Sequence, residues 1–162
     1  GEQVTTQTWA YGMKGFYGYR NFSMNSRDGE RMAYANSVWV LMDTKKGIPV
    51  RVTKEISDAY GLDPQLPMQC SERKIMLPEK YEEKDSLVVP SYFIDTNHHM
   101  NNTRYVQVAM EYRTMEVRVE YKKAAMCRDV IVPHVTIEDP RVTVALCAPD
   151  GQLYAVVVFL KA

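Results

Sequence analysis

Scarcity of cysteine and histidine, balanced charge and short apolar runs exclude several kinds of protein at once. Cys70, Cys127 and Cys147 are odd in number and widely spaced, so they make no disulfide framework and suit a reducing cytosol. None stands in a Cys-x-x-Cys pair or a Cys/His cluster, which argues against a structural zinc site. Lys+Arg and Asp+Glu both number 20, so no overall field draws the chain to nucleic acid or to an anionic membrane. No apolar run approaches the length that crosses a bilayer. The opening Gly1-Glu2-Gln3-Val4-Thr5-Thr6-Gln7-Thr8-Trp9 lacks the basic and apolar regions of a signal peptide. It reads as a strand already under way, as if the chain begins inside a fold. The expectation is a cytoplasmic protein that meets neither nucleic acid nor membrane.

What remains is ordinary globular material: 162 residues, 46% hydrophobic, enough to bury the core of one domain or two small ones. Val4–Tyr11, Phe16–Met24 and Arg31–Asp43 read as three strands joined by the turn Gly12-Met13-Lys14-Gly15 and the Asp28-Gly29 hairpin. Thr53 is placed to cap a short helix over Lys54–Tyr60, ended by Gly61. Leu62 to Lys84 is rich in proline and charge and reads as a surface-crossing linker. A strand is expected near 86–94, a helix near 101–112, and four strands near 115–124, 129–137, 140–147 and 152–160. Pro149-Asp150-Gly151 turns the last hairpin. The link around Arg113-Thr114 is tight for a helix reversing onto a sheet. A helix followed by an antiparallel meander makes an α+β unit.

Between the strand and helix of the second half lies Asp95-Thr96-Asn97-His98-His99-Met100-Asn101-Asn102. This octet packs a carboxylate, two of the three imidazoles and three carboxamides into eight positions. Asp95, Asn97 and His99 alternate, and three groups suited to acid–base work and positioning at that spacing are hard to explain by capping alone. Asn101 and Asn102 are better read as helix caps. His98 reads as an exposed loop histidine, and His134, after Pro133, as a packed or surface one. The cysteines read as small buried apolar groups rather than nucleophiles.

The chain resembles acyl-acyl carrier protein thioesterases of the bacterial branch related to the plant fatty-acyl enzymes. In the first half the resemblance rests on Gly1-Glu2 leading to Thr8-Trp9, on Arg20-x-Phe22, and on Ser37-x-Trp39-Val40 with Gly47 and Pro49-x-Arg51. In the second half it rests on the octet with Tyr105, and on Glu120-Tyr121-Lys122-Lys123 leading to Asp129. It implies a double hotdog, two curved antiparallel sheets each wrapping a helix, with the first hotdog incomplete at its N-terminus. Residues 1–62 would be the partial first hotdog, 63–85 the linker and 86–162 the second hotdog with the catalytic motif.

By the same resemblance Asp95, Asn97 and His99 form the catalytic set, and Tyr11, Met13, Phe16 and Tyr17 are candidates to line an acyl pocket. The implied partner is an acyl carrier protein with a phosphopantetheine-linked acyl chain, which Lys45, Lys46, Lys122, Lys123 and Arg128 could meet. No metal or other cofactor is implied, and a homodimer is left open. Two departures stand out. Plant members carry a catalytic Glu shortly after the tyrosine matching Tyr121, where this chain has Ala124 or Ala125, and Arg128 replaces a common Gly. The alternatives are an acyl-CoA thioesterase and an acyl-binding hotdog protein that no longer catalyses; dehydration of a hydroxyacyl thioester fits the motif less well.

Overall fold

A computed structural model describes residues 1–110 and 116–161. The chain divides into two compact units, Gly1–Ser71 and Glu72–Ala162.

The first unit is built on an antiparallel sheet of β1 (Val4–Lys14), β2 (Tyr17–Ser26) and β3 (Arg31–Val40), in that order. Its threonines and aromatics suit a pleated, half-buried surface. The Asp28-Gly29 turn closes the second hairpin, with Gly29 at φ +84°, a conformation that a side chain would strain. A register shift between Ala10 and Gly12 leaves Tyr11 unpaired in a bulge. The run expected to reach Asp43 as one strand stops at Val40. Met42–Asp43 (β4) pairs instead with Ile48–Pro49 (β5). The cause is local: Asp43 Oδ1 accepts the N–H groups of Lys45 and Lys46 at 2.9 and 3.0 Å, which bends the chain back at once. α1 (Lys54–Tyr60) forms as its caps imply, with Thr53 accepting from Ile56 N and Gly61 closing it at φ +62°.

One face of this sheet is crossed by the proline-rich stretch. Asn21 is fully buried, its Oδ1 accepting from Leu66 N at 2.9 Å and its Nδ2 donating to Ala35 O at 3.4 Å. Trp9 Nε1 donates to Pro64 O, and Asp63 N to Ala10 O. A buried carboxamide stripped of such partners costs about 1–3 kcal/mol, so these bonds hold the stretch in place. On β3 the large side chains Met32, Tyr34, Val38, Trp39 and Val40 are exposed. Both tryptophans of the chain, Trp9 and Trp39, belong to this unit.

Among the described residues the second unit is a six-stranded antiparallel sheet carrying one α-helix. Its strands are β6 (Glu82–Glu83), β7 (Leu87–Val88), β8 (Glu116–Tyr121), β9 (Val130–Glu138), β10 (Arg141–Cys147) and β11 (Leu153–Leu160), ordered β6-β9-β10-β11-β8 with β7 also on β9. The strand expected over 86–94 is only two residues long. Pro90 has no N–H to continue a ladder, and Ser91–Phe93 turns instead as a single 3-10 turn. α2 (Asn102–Ala109) packs on β10 and β11 through Tyr105 and Ala109, four residues apart on one face. The last residues of the expected helix, Glu111 and Tyr112, lie outside the described residues. So do Met115, where the next strand was expected to begin, and the Arg113-Thr114 link. β8 ends at Tyr121, three residues early, because the N–H groups of Lys122 and Lys123 both turn onto Tyr154 O.

The core under α2 gathers Ile131, Val135, Val142, Val144, Leu146 and Phe159, each fully or nearly buried. The opposite sheet face is covered too. Residues 72–81 run across it, with Ile75 buried against Val156 and Val158. The strap is fastened by Ile75 N donating to Glu120 Oε2 (2.8 Å), Thr136 Oγ1 donating to Lys80 O (2.6 Å) and an Arg118 bond to Glu72 O. Burial on both faces explains why Leu153–Leu160 reads as one apolar run rather than an alternation. Among the described residues no helix is long and apolar enough to cross a membrane.

Candidate active site

The polar octet folds as a closed loop. Ile94 and Met100 form an antiparallel bridge, and Asn101 N donates to Phe93 O at 2.9 Å below it. Above the bridge Asp95 N donates to His99 O and His98 N to Asp95 O, at 2.8 and 3.0 Å. Asp95 Oδ1 accepts the N–H groups of Asn97 at 2.8 Å and His99 at 3.4 Å. The first is a well-made Asx turn; the second is at the long end of bonding. His98 takes the left-handed position of the loop, φ +62°, which histidine enters more readily than most non-glycine residues. The loop therefore uses His98 for its backbone and Asp95 for its closure.

The octet runs directly into α2. Asn101 caps the helix, its Oδ1 accepting from Thr103 N at 3.0 Å and from Thr103 Oγ1 at 2.7 Å. That is the role cap preference gives it. Asn102 contributes its carbonyl, which accepts the Tyr121 hydroxyl at 3.0 Å. Below, Met100 N donates to Ala125 O and Ala125 N to the Tyr105 hydroxyl oxygen, at 2.8 and 2.7 Å. The Tyr105 and Tyr121 rings meet edge to face, centroids 5.6 Å apart. Burial pushes both phenols above the ordinary tyrosine value, and the charges of Asp129 and Asp95 add to the effect at Tyr105. Both are therefore neutral hydroxyls at any physiological pH.

These parts enclose an open cavity of about 340 Å³. Asp95, Asn97 and His99 all line it, as do both helix-start asparagines, Tyr105, Tyr121, Lys122, Lys123 and Ala124. The three alternate residues are thus brought to one cavity together with the first turn of α2, whose N–H groups are partly unbonded within the helix. No described residue forms a hydrogen bond with the Asn97 side chain or the His99 ring. Tyr105 joins the lining from α2, Tyr121 from the end of β8, and the two lysines through the turn onto Tyr154 O. Their common position just past the octet or at the end of β8 was the available signal.

Ala124 lines the cavity, while Ala125 is fully buried and holds the loop through its backbone. A side chain at 124 therefore reaches the cavity and one at 125 does not. Glu120 sits on the other sheet face, opposite Val156. Burial works against its ionisation, but the Ile75 N–H and the Lys122 ammonium outweigh it and hold the carboxyl below its usual value. It is committed there. Glu111 lies outside the described residues.

The four aromatic and methionine candidates of the first unit are all half-buried. Tyr17 shares a sheet face with Tyr19, whose ring lies 5.8 Å from that of Tyr11. Met13 pairs with Gly18 on the opposite face, and the Phe16 ring lies under the Arg51 guanidinium at 5.4 Å. The four do not gather on one face. Among the described residues no group of three His, Cys, Asp or Glu side chains is placed to hold a metal ion. Cys127 is exposed and Cys147 buried, and neither lines the octet cavity.

Two protein-family models match the sequence: the acyl-ACP thioesterase N-terminal domain over residues 1–60 and the acyl-ACP thioesterase C-terminal domain over 77–129. Among solved structures, an acyl-ACP thioesterase from Bacteroides thetaiotaomicron aligns with a TM-score of 0.81 at 20% identity, over 98% of this chain and 68% of that one. A 12:0-ACP thioesterase from Umbellularia californica aligns with a TM-score of 0.82 at 16% identity, over 97% of this chain and 66% of that one. The chain thus spans about two thirds of each. At these identities the likeness establishes the fold, the α+β antiparallel architecture of double-hotdog thioesterases. No curated protein sequence matches the chain.

Proposed function

Because the chain belongs to the acyl-ACP thioesterase family, we propose that it hydrolyses an acyl-acyl carrier protein thioester and releases the free fatty acid in the cytoplasm. The observation that carries this reading is the convergence of Asp95, Asn97, His99 and the start of α2 on one cavity. In it, His99 takes a proton from water as the water oxygen attacks the thioester carbonyl. The carbon–sulfur bond then breaks, and the proton passes to the leaving thiolate. Asn97 holds water or substrate with its two-sided carboxamide. Asp95 keeps the loop closed through Oδ1 and sets a negative charge beside the proton-accepting group. With Asn101 N on Phe93 O, Thr103 N on Asn101 Oδ1 and Arg104 N on Asn101 O, the Asn102 N–H is the donor at the start of α2 that receives the charge developing on the carbonyl oxygen. Hydrolysis of this kind consumes only water and needs no cofactor.

The same reading assigns residues 1–62 to the first hotdog, 63–85 to the connection and 86–162 to the hotdog that carries the chemistry. Tyr11, Met13, Phe16 and Tyr17 are its candidates for contact with the acyl chain. Lys122 and Lys123 are its candidates for meeting the acidic carrier.

Turnover of matched carrier-protein and CoA thioesters tests the proposal. The carrier-protein substrate should be preferred, and His99→Ala should lower turnover by roughly a hundredfold or more. Asp95→Asn should cut turnover while keeping the melting temperature, because its amide oxygen can still accept the two loop N–H groups. Asp95→Ala should lose that closure as well and about 1–2 kcal/mol of stability. Unchanged hydrolysis in His99→Ala and Asp95→Asn would remove the site. Acyl binding without turnover would instead favour an acyl-binding role, and a preference for CoA would change the carrier.

A further inference from the structure

On the sheet face opposite α2, His134 and Cys147 line a second cavity of about 260 Å³ and, with Glu83 beside His134, form a line of three groups that hydrolysis at the octet leaves unused. Cys147 Sγ lies 3.6 Å from His134 Nδ1, and His134 Nε2 lies 3.6 Å from Glu83 Oε2. The residues come from three adjacent strands: Glu83 on β6 pairs with His134 on β9, and Cys147 is a diagonal neighbour on β10. Tyr81, from the strap, stacks on the imidazole with centroids 3.9 Å apart and planes within 7°. A ring clamped that way cannot turn freely. The carboxylate beside Nε2 favours the tautomer with its proton there, which leaves the Nδ1 lone pair facing the thiol. The thiol's other acceptor, Ala145 O, is farther at 3.9 Å.

A nucleophile, a base within reach and a third group orienting the base are the parts of an activated thiol. We propose that this line is a second acyl-thioester site, at which Cys147 takes the acyl group of a small thioester by thiol exchange. The thioester class rests on the function proposed above. The Sγ proton passes to His134 Nδ1 as Sγ bonds to the carbonyl carbon. The bond from that carbon to the leaving sulfur breaks, and His134 returns the proton to the leaving thiolate. One thioester replaces another, so no further reactant is needed. Burial pushes the Cys147 thiol up, so it does not ionise unaided near neutrality and a base at hand is required. Leu77, Pro78, Ala145 and Leu153 give the cavity apolar walls. Its volume falls just below the roughly 300–1,000 Å³ of pockets for drug-sized ligands, which suits a short acyl group.

The test incubates the intact chain with S-butanoyl-N-acetylcysteamine at neutral pH. Acylation is read by peptide mass at each cysteine and hydrolysis as free butanoate. Cys147 should carry the butanoyl group ahead of Cys70 and Cys127, although those two are the exposed thiols. His134→Gln should slow acylation of Cys147 by roughly a hundredfold, with Cys70 and Cys127 unchanged. Glu83→Gln, at a side chain that is 67% exposed and so leaves packing untouched, should slow it several-fold. No butanoyl on Cys147 in the wild-type chain, or an unchanged rate in both variants, overturns the proposal. Free butanoate without acyl-Cys147 overturns this site and leaves the hydrolase; acyl-Cys147 without free butanoate supports this site, and the carrier-protein assay above decides the hydrolase separately.

Discussion

Tyr154 is a phenol with almost no water around it, and it already donates its proton to Asp129 Oδ2 at 3.1 Å. Burial first, then that bond and the charges of Asp129 and Asp150, push it up to about 12 from an ordinary 10.0. Between those two values the unfolded chain has lost this proton and the folded chain keeps it. Stability contributed by the neutral phenol is therefore complete below pH 10 and lost as pH rises toward 12. A shift of that size corresponds to about 3 kcal/mol. Urea melts at pH 9 and pH 12 should show Tyr154→Phe losing less stability over that interval than the wild type, by an amount of that order. Equal losses would mean the phenol is no better protected than an exposed one. Asp129 stays bonded to Met126 N in the variant, so the comparison isolates the hydroxyl.

Among elements, the strap over residues 72–81 shows best what the sequence conveys and what it hides. Its prolines and charges announce a surface crossing, and nothing in them announces Ile75 N on Glu120 or Ile75 between Val156 and Val158. The first pairs residues 45 positions apart and the second residues farther apart still, and no local pattern encodes such pairings. Glu120→Ala should free the strap at a cost of about 1–3 kcal/mol, whereas Glu120→Gln keeps an acceptor and should cost less. Hydrogen exchange at Ile75 should rise more than tenfold in the alanine variant; an unchanged rate would mean the strap is held elsewhere. Where structure is decided by near neighbours the sequence was plain. Thr53 and Gly61 bound α1, Asn101 caps α2, and Pro149-Asp150-Gly151 turns the β10–β11 hairpin. The end of β8 was less plain because a distant group, Tyr154 O, sets it. For the candidate site, alternation marked Asp95, Asn97 and His99 as a set. It could not reveal that Asp95 also ties the loop, or that position 124, unlike 125, faces the cavity.

At the scale of the molecule, the boundary between the two units falls after Ser71, between the anchored Leu66 and the anchored Ile75. Most of the residues between these anchors are exposed, Arg73 and Lys74 included. Proteases act where exposed chain can be drawn into an extended form. Limited trypsin digestion should cut first after Arg73 or Lys74 and release two fragments of defined mass. A first cut at Lys45 or Lys46, in the turn between β4 and β5, would place the weakest point inside the first unit. The division has an optical consequence as well. With Trp9 and Trp39 both before Ser71, indole emission monitors only the first unit. An unfolding curve recorded by that signal would miss the half that carries the octet, which must be followed through its tyrosines, Tyr105 and Tyr154 foremost.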